Sequence, residues 1–466
     1  MTLIKSISGI RGTIGGLEGD NLTPIDVVKF TASYGSWVKE QTVKSNYRVV
    51  IGRDARISGA MIQNLVINTL ISMGIDVINL DLSTTPTVEI AVTCEKADGG
   101  IILTASHNPR QWNALKLLDS NGEFLSSKHS QRVLDLAAQG SAVFSSIDKL
   151  GKVKTKADYF NTHIDSVLSL EIVNTTLIKN SNFKVVVDGV NSTGGIIVPM
   201  LLDQLGIETI TIHCDPSGDF AHNPEPLKEH LTDLSNKVVE TNADFGIAVD
   251  PDVDRLAFMD NNGDLFGEEY TLVACADYVL SRQAGNSVSN MSSTRALSDI
   301  TQKYGGNHIA SAVGEVNVVD AMKKNNAIIG GEGNGGIILP ESHYGRDAIV
   351  GIALFLSLLS EKKISVSELK KTYPLYFMSK KKIDLNSATN VDFILESIKN
   401  KFNNDKINLV DGVKIDFPDS WVHLRKSNTE PIIRIYSEAK SQKKADDLAN
   451  KLSLIHISEP TRPLII

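Results

Sequence analysis

Cysteine, aromatic side chains and net positive charge are all scarce in this chain, and each scarcity removes a class of function. The three cysteines, Cys94, Cys214 and Cys275, lie far apart and never in Cys-x-x-Cys spacing, so neither a disulfide framework nor a cysteine zinc site is indicated. Aromatics make up 6% of the residues, and 55 acidic side chains against 47 Lys and Arg leave a net charge of -8. Wholesale nucleic-acid binding needs a basic face and is therefore not expected, although local basic pockets remain open. Long apolar runs are missing too. The most apolar candidate helix, Ala348 to Leu359, is too short to span a bilayer and carries Gly351 and Ser357, so it reads as a buried helix. Met1 to Lys5 leads directly into Ser8-Gly9-Ile10-Arg11-Gly12 with no charged-then-apolar leader, which sets the expectation of a cytoplasmic protein without a membrane partner. No Gly-x-x-x-x-Gly-Lys-Ser/Thr segment occurs, which argues against a P-loop kinase.

What is present is an ordinary globular composition, 42% hydrophobic and 22% charged over 466 residues, long enough for about three or four domains. Short β-branched or aliphatic runs end in Gly- or Asp-containing loops: Tyr47 to Ile51, Gly100 to Leu103, Lys184 to Val187, Phe245 to Val249 and Ala327 to Ile329. Amphipathic stretches of helical length lie between them, including Ile25 to Glu40, Gly59 to Met73, Ser130 to Ala138 and Gly195 to Leu205. The alternation predicts α/β layers, with ligands at the carboxyl ends of the strands where those loops lie. Composition shifts divide the chain into 1–152, 153–258, 259–373 and 374–451. Residues 452–466 resemble translated sequencing-adapter sequence and are expected to be an artefact outside the fold.

Four of the loops carry chemistry. Ser106, in Thr104-Ala105-Ser106-His107-Asn108-Pro109, is a nucleophile candidate on a loop leaving a strand, and a serine needs an activating partner. Asp250-Pro251-Asp252-Val253-Asp254-Arg255 follows a strand and, read as extended, points three carboxylates one way, suiting a divalent cation such as magnesium. An EF-hand reading fails because its sixth and twelfth positions are Arg255 and Asn261. Arg425-Lys426-Ser427-Asn428-Thr429-Glu430-Pro431 with Arg434 has the inventory to hold a phosphate dianion. Gly331-Glu332-Gly333-Asn334-Gly335-Gly336 matches a dinucleotide fingerprint but runs into a strand-like Ile337-Ile338-Leu339, so a carboxylate that holds sugar hydroxyls fits better. His107 adjoins Ser106, yet neighbours on an extended loop point apart, so a Ser-His pair is not assumed.

These loops, in this order and spacing, resemble the α-D-phosphohexomutase family, as do Ser8 to Gly12, Gly52-Arg53-Asp54, Asn223-Pro224-Glu225-Pro226 and Val313-Gly314-Glu315. The resemblance covers residues 1 to about 451. It implies three related α/β domains with mixed sheets and a C-terminal α+β domain around one cleft. It also implies a phosphorylated Ser106 that shares one magnesium ion with Asp250, Asp252 and Asp254, and a hexose bisphosphate as intermediate and activator. Arg11, His107 and Lys116 become catalytic candidates; of the substrate-binding candidates, Arg255 adds positive potential together with Lys116, Glu332 and Asn334 face the sugar, and Arg425, Ser427, Asn428, Thr429 and Arg434 grip the phosphate that is not reacting. The substrate implied is a hexose or hexosamine phosphate. The Glu-Gly-Asn-Gly-Gly and Ser-Asn-Thr-Glu-Pro loops are most similar to those of bacterial phosphoglucosamine mutases, with mannose or glucose phosphate as alternatives. No oligomeric state is implied. Two loops depart from the family pattern: Asn334 and Gly336 stand where Ser and His are usual, and Asn428 where Gly is. The expectation is that His343 partly substitutes for the absent histidine.

Overall fold

A computed structural model of the chain describes residues 2–6, 9–384, 391–426 and 432–458. Ser8, Ser427, Asn428 and Thr429 lie outside them. The first sheet has seven strands in the order Ile4–Ser6, Gly9–Thr13, Trp112–Leu118, Gly99–Leu103, Tyr47–Arg53, Ile75–Leu82, Val153–Thr155. Its central Val49, Val50 and Ile51 are fully buried, as expected of a parallel strand with helices on both faces. One of those helices, Pro24–Gln41, starts at a Thr23–Asp26 capping box with proline in its first turn, a combination that satisfies the free amides of the helix end.

Four strands of this sheet set a plan that the next two sheets repeat. Gly99–Leu103 lies parallel to Tyr47–Arg53, which lies parallel to Ile75–Leu82, and the chain then turns back from Gly99–Leu103 into the antiparallel Trp112–Leu118. In the second sheet Phe245–Val249, Lys184–Asp188 and Glu208–Ile212 are parallel and Leu256–Met259 returns antiparallel. In the third, Ala327–Glu332, Asn286–Asn290 and His308–Ser311 are parallel and Gly336–Ile338 returns. The serine, metal and sugar loops therefore occupy the same turn of three copies of one fold, as the expectation of three related domains requires. The fourth sheet is antiparallel, in the order Phe377–Asp384, Ile432–Ala439, Ser420–Lys426, Val413–Phe417, Lys406–Asn408.

Sequence-based boundaries shift slightly. Val153–Thr155 hydrogen-bonds to the edge of the first sheet, and Met259 closes a strand of the second; a composition change marks a turn, not the last ladder bond. Leu452, placed outside the fold by its sequence, is buried beside Ile398 and Ala449 in the core of the C-terminal domain. The helix Gln442–Ser458 runs on past it. Ala348–Lys362 is the buried helix expected, capped by the Asp347 side chain on the amides of Ile349 and Val350. It lies in one apolar core shared by the second and third domains. Among the described residues no helix is long and apolar enough to cross a membrane.

Candidate active site

Ser106 sits in the left-handed region at φ 49°, a conformation few non-glycine residues adopt and one that surrounding bonds must enforce. Its amide donates to Thr104 Oγ1 at 2.9 Å, and that hydroxyl donates to Asp54 Oδ2 at 2.7 Å. Arg56 is the scaffold behind the loop. Its buried guanidinium donates to Asp54 Oδ2 at 3.0 Å and to the carbonyls of Asn108 at 2.7 Å, Pro109 at 2.8 Å and Trp112 at 3.0 Å, and it also reaches the carbonyl of Ser106. One rigid fork thus supplements the two backbone bonds within the loop, from the Asn108 amide to the Ala105 carbonyl at 3.0 Å and from the Trp112 amide to the Pro109 carbonyl at 3.0 Å. Because the loop is left-handed rather than extended, His107 does not point away: its Nδ1 is 3.4 Å from Ser106 Oγ. Burial, with Arg255 and Arg11 nearby, holds that imidazole well below its usual range, hence neutral.

The Ser106 hydroxyl donates across the domain boundary to Asp250 Oδ2 at 2.6 Å. The metal loop also differs from an extended chain. Val253 is left-handed at φ 61°, and Asp250 Oδ1 accepts from the amides of Asp254 at 3.1 Å and Arg255 at 3.0 Å. The loop is a turn around Asp250, and it is this turn that brings one oxygen from each of Asp250, Asp252 and Asp254 within 4.8 Å of one another. All three are fully buried. Lys116 Nζ spans Asp252 at 2.7 Å and Asp254 at 3.3 Å, and Thr85, at the first turn of Thr85–Cys94, donates its hydroxyl to Asp252 Oδ2 at 2.6 Å. Asp252 Oδ1 and Asp254 Oδ1 remain buried without hydrogen-bond partners. A buried carboxylate oxygen left unmatched is costly. An all-oxygen set with two such atoms next to the Ser106 hydroxyl therefore fits a hard divalent cation.

The charges follow from these contacts. Burial and then repulsion from Asp254 and Asp252 push the Asp250 carboxyl well above its usual range. Burial acts the same way on Asp254, but Arg346, Lys116 and Arg255 outweigh it and hold that carboxyl low. Burial opposes the charge of Lys116, yet Asp252 and Asp254 raise its affinity for a proton. Lys116 is thus a fixed cation rather than a proton acceptor. Arg11 Nη1 reaches Asn108 Oδ1 at 3.4 Å and Arg255 Nη1 reaches Glu225 Oε1 at 3.2 Å. The Nε atoms of Arg11, Arg255 and Arg425 are buried without hydrogen-bond partners, donors of the kind a phosphate oxygen satisfies, although Arg255 Nε lies 4.0 Å from Asp250 and 3.9 Å from Asp254.

On the sugar loop, Glu332 Oε1 accepts from Asn290 Nδ2 at 2.8 Å and from the Gly314 amide at 3.1 Å, while Oε2 accepts from Arg346 at 2.8 Å. Asn334 Oδ1 accepts from the Gly336 amide at 3.2 Å and so shapes the turn. Arg425 and Arg434 face each other in register on adjacent strands, and Arg434 donates to the Tyr436 hydroxyl at 3.3 Å. His343 stands between two carboxylates. Its Nε2 is 3.1 Å from Asp347 Oδ2 and its Nδ1 3.3 Å from Glu89 Oε2. Burial opposes its charge, but these two carboxylates raise its pKa to about 10. The ring thereby joins the first domain, through Glu89, to the third, through Asp347. Sequence reasoning missed Arg56, Thr85 and Arg346. Arg56 lay in reach, three residues beyond the carboxyl end of Tyr47–Arg53; nothing in the local sequence signals Thr85 or Arg346.

Four consecutive pieces of the chain match models of one family, described as phosphoglucomutase/phosphomannomutase: α/β/α domain I at residues 3–143, domain II at 161–263, domain III at 267–376 and the C-terminal domain at 384–455. The chain belongs to this family of α-D-phosphohexomutases. A phosphohexomutase is an isomerase-type phosphotransferase, and the serine and metal loops are the parts such chemistry needs. The chain is 35% identical to a phosphoglucomutase/phosphomannomutase of Thermococcus kodakarensis, over 93% of this chain and 95% of that one. It is 33% identical to a probable phosphoglucosamine mutase of Pyrococcus horikoshii, over 95% of each. It is 32% identical to a phosphoglucosamine/phosphogalactosamine mutase of Sulfurisphaera tokodaii, over 96% of this chain and 97% of that one. Two solved structures share the fold at 23% identity: a family protein of Burkholderia thailandensis, with a TM-score of 0.85 over 99% of each chain, and a putative phosphomannomutase of Thermus thermophilus, with 0.82 over 98% of this chain and 99% of that one.

Proposed function

We propose that this phosphohexomutase is a phosphoglucosamine mutase, interconverting glucosamine 6-phosphate and glucosamine 1-phosphate through phosphorylated Ser106. The observation that carries the mechanism is the Ser106 hydroxyl held 2.6 Å from Asp250 beside two carboxylate oxygens without partners. In the first half-reaction the phosphoryl group leaves Ser106 Oγ for the free hydroxyl of the sugar monophosphate, giving a hexosamine bisphosphate. The bisphosphate turns over, and its other phosphoryl group returns to Ser106 Oγ. Asp250, Asp252 and Asp254 would hold magnesium, which when bound spreads the charge of the loose transition state. The neutral His107 Nδ1, 3.4 Å from Ser106 Oγ, is on the side of the serine oxygen. It is positioned to pass a proton to Ser106 Oγ as the phosphoryl group leaves, while the sugar hydroxyl releases an equivalent proton to solvent, and to take the Ser106 proton when the phosphoryl group returns. Lys116, Arg11 and Arg255 offset the transferring charge. Glu332 and Asn334 face the sugar hydroxyls, and Arg425, Ser427, Asn428, Thr429 and Arg434 grip the phosphate at rest. A hexose bisphosphate would serve as activator by charging Ser106. We place the reaction in the cytoplasm, where the exposed thiol of Cys94 stays reduced.

The amino-sugar assignment is supported by the Glu332 to Gly336 loop and by the names of two of the relatives above. The name of the Thermococcus kodakarensis relative favours a second reading, phosphomannomutase or phosphoglucomutase activity by the same mechanism. Coupled turnover of glucosamine, mannose and glucose 1-phosphates separates them, with magnesium and a trace of hexose bisphosphate. The expected result is the highest kcat/KM for the glucosamine phosphate, abolished by chelation and by Ser106→Ala. Preference for another sugar would move the substrate, and turnover that survives without Ser106 would end the mechanism.

A further inference from the structure

Arg346 is the buried hub between two loops that lie far apart in sequence. Its Nη2 donates to Asp254 Oδ2 on the metal loop at 2.7 Å and its Nη1 to Glu332 Oε2 on the sugar loop at 2.8 Å. Its backbone amide and Nε are both held by Glu315, at 2.9 and 3.1 Å. The other oxygen of the Asp254 carboxylate is one of the two that lack a hydrogen-bond partner, with Arg255 Nε near it at 3.9 Å. A single carboxylate thus divides between the guanidinium and the place a cation would take. The side chain gets there through Gly336: a Cβ at that position would lie 2.3 Å from Arg346 Cδ. Gly336 has no positive φ, so glycine is required there by the arginine's path and not by the backbone.

From this geometry we propose that Arg346, admitted by Gly336, is a positioning residue that couples the metal loop to the sugar loop, sharing the Asp254 carboxylate with the cation and orienting Glu332 toward the sugar. The proposal rests on the metal and sugar roles assigned above. It predicts effects of opposite sign. A cation 2.7 Å from Asp254 repels a second one, so removing its charge strengthens metal binding; the same change frees Glu332 and weakens turnover. A residue that merely supports the fold would lower both.

The test is Mn2+ binding by the full chain, followed by electron paramagnetic resonance at a fixed phosphorylation state of Ser106, beside hexose phosphate kinetics. Arg346→Gln is expected to bind Mn2+ on the order of tenfold more tightly, while kcat/KM falls about 100-fold because Glu332 is misplaced. Arg346→Lys keeps the charge without the fork, so Mn2+ affinity should match the wild type while kcat/KM still falls. Gly336→Ala should displace the guanidinium and lower kcat/KM with no change of charge, which tests the coupling if Arg346→Gln does not fold. Unchanged or weaker Mn2+ binding by Arg346→Gln, or wild-type kcat/KM in Gly336→Ala, would overturn the proposal. Wild-type protein that binds Mn2+ but turns over no hexose phosphate would overturn the functional reading instead, and the Mn2+ arm would still judge Arg346.

Discussion

The second and third domains are joined in a different way from the third and fourth. Between the former runs one continuous apolar core, centred on Phe355, whose ring stacks on Phe258 at 3.8 Å and meets Phe245 and Phe266 edge-on. The C-terminal domain is held by polar contacts. Ser292 Oγ meets His423 Nδ1 at 2.9 Å, the Val313 amide donates to Asp411 Oδ2 at 3.0 Å, the Arg295 amide to Glu438 Oε1 at 3.0 Å, and Lys380 lies 3.2 Å from Glu268. Water can replace a hydrogen bond at small net cost, but it cannot replace packed hydrocarbon. The metal and sugar loops therefore stand on one rigid block, while the arginines that would hold the resting phosphate stand on a domain attached by exchangeable contacts. The same backbone turn links the two regions, because the Val313 amide serves Asp411 and the next amide, of Gly314, serves Glu332.

The comparison breaks most visibly at Phe355. Phe355→Ala empties the shared core and should cost about 3–5 kcal/mol, with the second and third domains losing structure together; urea unfolding followed by hydrogen exchange of both domains would reveal separate transitions if the core were not common. A smaller change is expected at the polar interface. Ser292→Ala removes the partner of His423 Nδ1 and should loosen the C-terminal domain by about 1 kcal/mol, raising the KM for hexose phosphate while leaving the melting of the block in place. Unaltered KM would show that this contact does not help to place the phosphate-binding arginines.

The smallest effect sharpens the contrast through pH. Burial lowers the pKa of His423 to about 4 despite its bond to the Asp411 carbonyl, whereas Asp347 and Glu89 raise that of His343 to about 10 against burial. A histidine unfolds to a pKa near 6.5. The stability due to neutral His423 is therefore present above pH 6.5 and lost as pH falls toward 4, since the unfolded chain takes up the proton first. The stability due to charged His343 is present below pH 6.5 and lost as pH rises toward 10. Stability curves of His423→Ala and His343→Ala against pH should approach the wild type at opposite ends, acid for the first and alkaline for the second. Parallel curves would contradict the assigned charge states.

Much of this was legible in the sequence because strands and helices are local. Val49 to Ile51 and Phe245 to Val249 are β-branched or apolar runs that end in glycine or aspartate, and they form the strands expected. Ala348 to Leu359, within the helix Ala348–Lys362, was legible as buried from its lack of charge. The functional loops were legible by their chemistry but not by their shape. Both the serine and the metal loop were read as extended, and both turn at one left-handed residue, Ser106 and Val253, which neither residue type announces. His343 was singled out as a histidine near the sugar loop, but its two acidic neighbours, Glu89 and Asp347, could not be read from the local sequence.

What the sequence by itself determined is the set of parts: repeated strand–loop–strand units, a serine loop, a triad of aspartates, a glutamate on glycines and a basic loop. Residue type and short-range period carry that information. Only the tertiary structure decided which of these meet. Ser106 and Asp250 are 144 residues apart, as are Lys116 and Asp252 by 136 and Arg346 and Asp254 by 92. Their contacts exist because three copies of one fold pack with equivalent turns converging, and the apolar core shared by the second and third copies takes in Val253 of the metal loop itself, so packing far from the reacting atoms fixes the turn that gathers the carboxylates.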